Sequence, residues 1–339
     1  MNREELNQRY QLIYDKLNPE QKQAVDTIQG PVLVIAGPGT GKTQILSARI
    51  GKILLETDYL PDNILCLTYT DAGKVAMRKR LQEMIGADAY RVNIHTFHSF
   101  CNQVIQENVT YFDKNTLDAV SDLERIGYIK KIIDGFKKDN PLKRYRGDVY
   151  YEIGRLNNLF STMKKEGWSS SFIKERIKAY CDDLPNRDEY IAKRKSTSKG
   201  VVYLKGDLRI DKIEEETKKI NVLNYAAEAF DEYQNIMHQH NRYDFDDMIN
   251  WVIRVFENNE SLLQDYQEKY QFILVDEFQD TSGTQNQLVN LLCSQIDQPN
   301  IFVVGDDDQS IYRFQGANVE NIQDYKIRYS SQLIDIVLK

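Results

Sequence analysis

The chain predicts an α/β fold, a parallel sheet flanked by helices, and three features carry that expectation. Short apolar runs alternate with helical patterns from about residue 30 to 108. The same alternation resumes after residue 270, while the stretch from about 110 to 222 has charged helical segments and no apolar strands. Strands interleaved with helices at this spacing imply right-handed βαβ units and a sheet covered on both faces. The expected organisation is one sheet interrupted by an inserted all-helical subdomain. Residues 1–109 and 223–339 form the α/β domain, and 110–222 form the insertion.

In chain order, PVLVIAG (31–37) reads as a strand and TQILSARIGKILLE (43–56) as the helix after it. NILCLTYT (63–70) is a second strand, followed by a helix over 72–85, and VNIHTF (92–97) is a third that runs into another helix. Within the insertion, DLERIGYIKKIIDGF and SSFIKERIKAYCDDL are helical, whereas RDEYIAKRKSTSKG (187–200) is polar, basic and weakly periodic, which predicts a loop. QFILVDE (271–277), a helix near 284–295 and NIFVVGD (300–306) restore the α/β pattern. QLIDIVLK (332–339) reads as a last strand. Loops after such strands carry ligands in open α/β sheets, so the chain is expected to be a fragment of a longer protein.

Composition bounds the answer further. With 339 residues and 41% hydrophobic content there is enough apolar surface for one large core or two to three ordinary ones. No apolar run is long enough to cross a bilayer, and MNREELNQRY lacks the apolar stretch of a signal peptide, so a cytoplasmic protein without membrane partners is expected. Cys66, Cys101, Cys181 and Cys293 form neither a zinc spacing nor a redox pair. A net charge of -7 argues against coating nucleic acid by bulk electrostatics, and leaves room for a local basic track.

The strongest chemical signal is AGPGTGKT (36–43), between a strand and a helix as a phosphate-binding loop requires. The loop Ala36, Gly37, Pro38, Gly39, Thr40 and Gly41 would wrap the phosphates, its three glycines letting backbone amides turn inward at a helix N-terminus. Lys42 would reach the β- and γ-phosphates, the Thr43 hydroxyl would ligate magnesium, and Gln44 follows on the helix. Ala36 replaces the usual first glycine, a position that only begins the turn. FILVDE supplies the opposing acids: Asp276 to hold magnesium and Glu277 to orient and deprotonate the attacking water. VVGDDDQSIYRFQGA (303–317) places Gln309 at a neighbouring strand tip, where it can sense a γ-phosphate. Tyr312 and Phe314, two apart, fit a core as readily as a stacking surface.

This set resembles superfamily 1 helicases of the UvrD/Rep type, in the family's order along the whole chain. LNPEQ (17–21) is similar to the adenine-reading Q motif, with Gln21 as reader; AGPGTGKT to motif I, LTYTDAGKVAMRKRL to motif Ia, and HTFHSF to motif Ib. YDFDDMI (243–249) resembles the DFDDLL-like segment, and VDEFQDTS (275–282) and VGDDDQSIYRFQGA resemble motifs II and III. The resemblance implies a P-loop NTPase of RecA-like fold that uses ATP and Mg2+ and moves on single-stranded DNA or at single-strand/duplex junctions, with a 3′ to 5′ polarity. It assigns Thr68, Tyr69, Thr70, Thr96, Phe97, His98, Tyr312 and Phe314 to the strand track. Tyr69, Tyr312 and Phe314 make base pockets, where stacking contributes about 1 to 3 kcal/mol per base. For His98, a core role is the alternative.

Asp71, Ala76, Gln315 and Gln44 depart from the family's common Asn, Glu, Arg and Arg; the last two weaken the expected grip on DNA and base. The resemblance also implies a second RecA-like domain, missing from this chain, whose arginines complete the ATP site and contribute roughly 10³ to 10⁵ in turnover. The chain alone is therefore expected to hydrolyse ATP poorly. Basic runs at 137–148 and 193–200 are either solvated faces or phosphate contacts. A nucleotide switch that senses DNA ends or recruits a nuclease shares every motif, and differs in whether hydrolysis separates strands.

Overall fold

The structure, a computed structural model, describes residues 3–112, 118–144, 147–198, 200–306 and 320–338. It divides into two compact units: Met1–Asn115 with Phe245–Lys339, and Thr116–Asp244.

The first unit opens with α1 (Arg3–Tyr14), α2 (Pro19–Asp26), β1 (Val32–Ile35), α3 (Lys42–Glu56), β2 (Ile64–Thr68), α4 (Asp71–Ile85), β3 (Asn93–Thr96) and α5 (Phe97–Glu107). The second holds β4 (Asp118–Ala119), α6 (Asp122–Gly135), α7 (Ile153–Glu166), α8 (Ser170–Asp183), β5 (Ser196–Ser198), β6 (Val201–Tyr203), α9 (Ile210–Ile220), α10 (Val222–Gln239) and β7 (Arg242–Tyr243). The first unit then resumes with α11 (Phe245–Asn258), α12 (Glu260–Lys269), β8 (Phe272–Val275), α13 (Gly283–Leu292), β9 (Ile301–Gly305), α14 (Glu320–Arg328) and β10 (Ile334–Val337).

Six strands form one parallel sheet in the order β10-β1-β9-β8-β2-β3. Every residue of β1, β2, β8 and β9 is buried, which is why these strands read as unbroken apolar runs. The pleat sends Val32, Val34, Cys66, Leu274, Phe302 and Val304 into a core shared with Ile45, Ile50, Met77 and Leu81 of α3 and α4. The expected P-loop architecture, a parallel sheet flanked by helices, is the one observed.

The inserted unit differs from the all-helical expectation. Its core, built from Ile129, Ile133, Phe160, Met163, Phe230 and Tyr233, is helical. It also carries a parallel β4–β7 pair and an antiparallel β5–β6 hairpin, where a loop was expected at 187–200. The β-branched residues of Ser-Thr-Ser and Val-Val flank Gly200, whose φ of +80° supplies the left-handed turn residue that short hairpins need. The unit extends to residue 244 and not 222, because α10 buries Ala226, Ala229, Phe230 and Tyr233 in this unit's own core.

Candidate active site

All strands of the sheet run the same way, so the segments following β1, β2, β3, β8 and β9 emerge at one edge. Among the described residues, the phosphate loop, the acids after β8 and the candidates at the ends of β2 and β3 sit there.

The loop after β1 is shaped by Gly39 and Gly41, at φ +77° and +84°, where a side chain would be strained. Ala36 is buried, and its N–H donates to the Gly305 carbonyl at 2.8 Å, anchoring the loop to β9. The Thr40 hydroxyl donates to the Gly37 carbonyl at 2.7 Å. Gln21 braces the turn from α2: its Nε2 donates to the Thr40 carbonyl at 2.8 Å, and its Oε1 accepts the Asn18 N–H at 2.9 Å. The second amide hydrogen of Gln21 has no partner among the described residues. Helix α3 starts at Gly41 without a side-chain cap, and among the described residues the Lys42 and Thr43 N–H groups have no partner. Free N–H groups at a helix start are what an anion requires. Pro38 is exposed on the loop, and Thr43 and Gln44 are half-buried in the first turn.

The acids after β8 meet this loop. Lys42 Nζ lies 2.7 Å from Glu277 Oε2, a pair 235 residues apart in sequence. Glu277 takes a left-handed backbone at φ +50°, an uncommon conformation for a non-glycine residue. Asp276 is buried, with its N–H donating to the Leu67 carbonyl of β2 and its Oδ1 accepting the Glu277 N–H at 3.0 Å. Burial first, and the Glu277 charge second, push its carboxyl up to about 6, against the Glu277 N–H and Lys42. The buried acid and the Thr43 hydroxyl are hard oxygen donors of the kind magnesium takes.

Sequence reasoning passed over two neighbours. Gln279 and Asp280, both buried, lie in the short 3-10 turn after Glu277. Gln279 bridges Glu277, Asp280 and the Asp306 N–H. Burial and then Glu277 raise the Asp280 carboxyl to about 6. The motif VDEFQDTS contained both residues; their inward orientation is a tertiary fact.

The strand-track candidates divide. Tyr69 is half-buried, and the Thr70 hydroxyl caps α4 by accepting the Gly73 N–H at 3.0 Å. Thr96 caps α5 through the Ser99 N–H. His98 is partly exposed, with Nε2 3.6 Å from Asp246 Oδ1 and its ring edge-on to Phe245. Thr68 and Phe97 are both buried, Phe97 at 2% exposure, and the Thr68 hydroxyl donates to the Thr70 carbonyl at 3.0 Å. Gln309, Tyr312, Phe314 and Gln315 lie outside the described residues.

A family model described as the UvrD/REP helicase N-terminal domain matches residues 17–330. The chain is 29% identical over 318 residues to an ATP-dependent DNA helicase PcrA of Staphylococcus aureus, covering 94% of the chain and 37% of that protein. It is 31% identical over 314 residues to a PcrA of Staphylococcus epidermidis, covering 92% and 36%. The chain thus spans little more than a third of the length of these relatives. The loop, the opposing acids and a match running almost end to end together establish that this chain belongs to the UvrD/Rep helicase family, to which it contributes the N-terminal domain.

Proposed function

We propose that the chain is the ATP-binding portion of a motor that translocates on single-stranded DNA and opens duplex at junctions, with 3′ to 5′ polarity by family resemblance. The observation that carries this reading is the 2.7 Å approach of Lys42 to Glu277, which brings the phosphate loop and the strand-end acids into one site. ATP phosphates would lie against the Lys42 and Thr43 N–H groups, with Lys42 turning from Glu277 to the β- and γ-phosphates. Asp276 and Thr43 would hold magnesium, whose charge offsets that of the phosphates. Glu277, freed from Lys42, would accept the proton of the attacking water. Gln309 would report the γ-phosphate to the strand track, where Tyr69, Thr70, Thr96, His98, Tyr312 and Phe314 contact DNA. Arginines from a second RecA-like domain would complete the site, so these 339 residues alone would turn over slowly.

The test is ATP hydrolysis by the longest natural form of the protein, with and without single-stranded DNA, beside a Glu277→Gln control. DNA-stimulated hydrolysis abolished by Glu277→Gln is the expected result. Hydrolysis indifferent to DNA would favour a nucleotide switch over a motor.

A further inference from the structure

We propose that Gln279 is the residue that positions Glu277 for the attacking water and ties that position to the end of β9; this rests on the hydrolytic reading of the site above. Gln279 is 3% exposed, and both ends of its carboxamide are engaged. Its Nε2 donates to Glu277 Oε2 at 2.9 Å and to Asp280 Oδ2 at 3.1 Å. Its Oε1 accepts the Asp306 N–H at 2.9 Å, immediately after β9. The place calls for a side chain that donates to two carboxylates at one end and accepts a peptide N–H at the other. A carboxamide does this, whereas an ionised glutamate cannot donate, a lysine cannot accept, and a methionine does neither with strength.

The same Glu277 oxygen, Oε2, receives Lys42 and Gln279. When Lys42 turns to a phosphate, Gln279 is the contact that stays. Oε2 is then the anchored oxygen, and Oε1, which has no hydrogen-bond partner among the described residues, is the one presented to water. Contact with β9 is close on both sides. A Cβ added at Gly305 would lie 3.0 Å from Gln279 Oε1 and 3.3 Å from its backbone N, so glycine there keeps the carboxamide in place. A shift of the Asp306 N–H at the end of β9 would therefore move the Gln279 carboxamide and the Glu277 oxygen that it holds.

The experiment compares unaltered protein in its longest natural form with Gln279→Met, Gln279→Glu and Gly305→Ala. It measures kcat and KM for ATP with and without single-stranded DNA, affinity for a fluorescent ADP analogue, and Tm. Gln279→Met, close in volume, is expected to lower DNA-stimulated kcat about a hundredfold with analogue affinity and Tm retained, as for a misplaced catalytic group. Gln279→Glu keeps the acceptor for Asp306 and loses the donor to Glu277, so it should fall at least as far. Gly305→Ala should show a smaller loss of the same kind. Retained kcat in Gln279→Met or Gln279→Glu overturns the proposal, as does a parallel fall in kcat, analogue affinity and Tm, which marks a structural residue. Absence of DNA-stimulated hydrolysis in the unaltered protein defeats the underlying reading instead, and does so before any variant is compared.

Discussion

His95, a single side chain at the sheet edge, is expected to set a pH response. It lies on β3, with its ring 6.3 Å from Phe100 and its Nδ1 buried without a partner. Burial, followed by the charges of Lys74, Arg78 and Lys269, pushes its pKa down to about 4, with Glu107 opposing. A depressed folded pKa means that the unfolded chain binds the proton first as pH falls. The neutral histidine's contribution is therefore fully present above about pH 6.5 and lost progressively towards about pH 4. Because the ring is partly exposed and solvent screens its charge, the loss should amount to about 1 to 2 kcal/mol. Urea unfolding at pH 7 and pH 4.5 should show a smaller drop for His95→Phe than for the unaltered protein. Equal drops would mean that other groups carry the acid response.

At the scale of elements, α2 and α3 act together to hold the phosphate loop. Arg49 of α3 is 1% exposed, donates to the Ala24 carbonyl at 2.8 Å and to the Thr27 carbonyl, and stacks 4.2 Å over Phe302. Burial lowers its pKa to about 9, so it remains charged at neutral pH. It fastens the end of α2 whose other end presents Gln21 to Thr40. Arg49→Met would strand two carbonyls, at a cost of about 2 to 4 kcal/mol in all, and loosen the brace on the loop. Denaturant unfolding and nucleotide titration should weaken together; an unchanged midpoint would remove Arg49 from this role. None of this was visible in TQILSARIGKILLE, because the carbonyls that Arg49 satisfies come from α2 and the residue after it. Strands were legible because burial on both faces leaves continuous apolar runs, so QFILVDE encloses Phe272–Val275 within a residue or two. Which core a helix joins was not, since the Ala226, Phe230 and Tyr233 stripe of α10 would suit either unit. TFH likewise marks the start of α5 without revealing that Phe97 turns inward.

For the whole molecule, the inserted unit is arranged as a domain in its own right. Asp118 pairs with Arg242 and Ala119 with Tyr243, so the chain enters and leaves the unit on neighbouring strands about 4.8 Å apart. Arg242 secures the junction through Asp118 at 3.1 Å and Glu124 at 2.9 Å, and the Val120 N–H donates to the Tyr243 carbonyl at 2.7 Å. Beyond it, the buried Lys164 meets Asp244 at 2.6 Å. Adjacent ends and a separate apolar core are the conditions under which an insertion folds alone and its host tolerates removal. Residues 116–244 expressed by themselves should therefore give a helical circular dichroism spectrum and one cooperative thermal transition. The remaining chain, closed across 115 and 245 by a short Gly-Ser linker, should keep its affinity for a fluorescent ADP analogue, because every residue that shapes the phosphate loop and the opposing acids belongs to the first unit. A non-cooperative melt of the isolated unit would show that its core depends on the host, and lost nucleotide affinity in the closed chain would show that the host's site depends on the insertion.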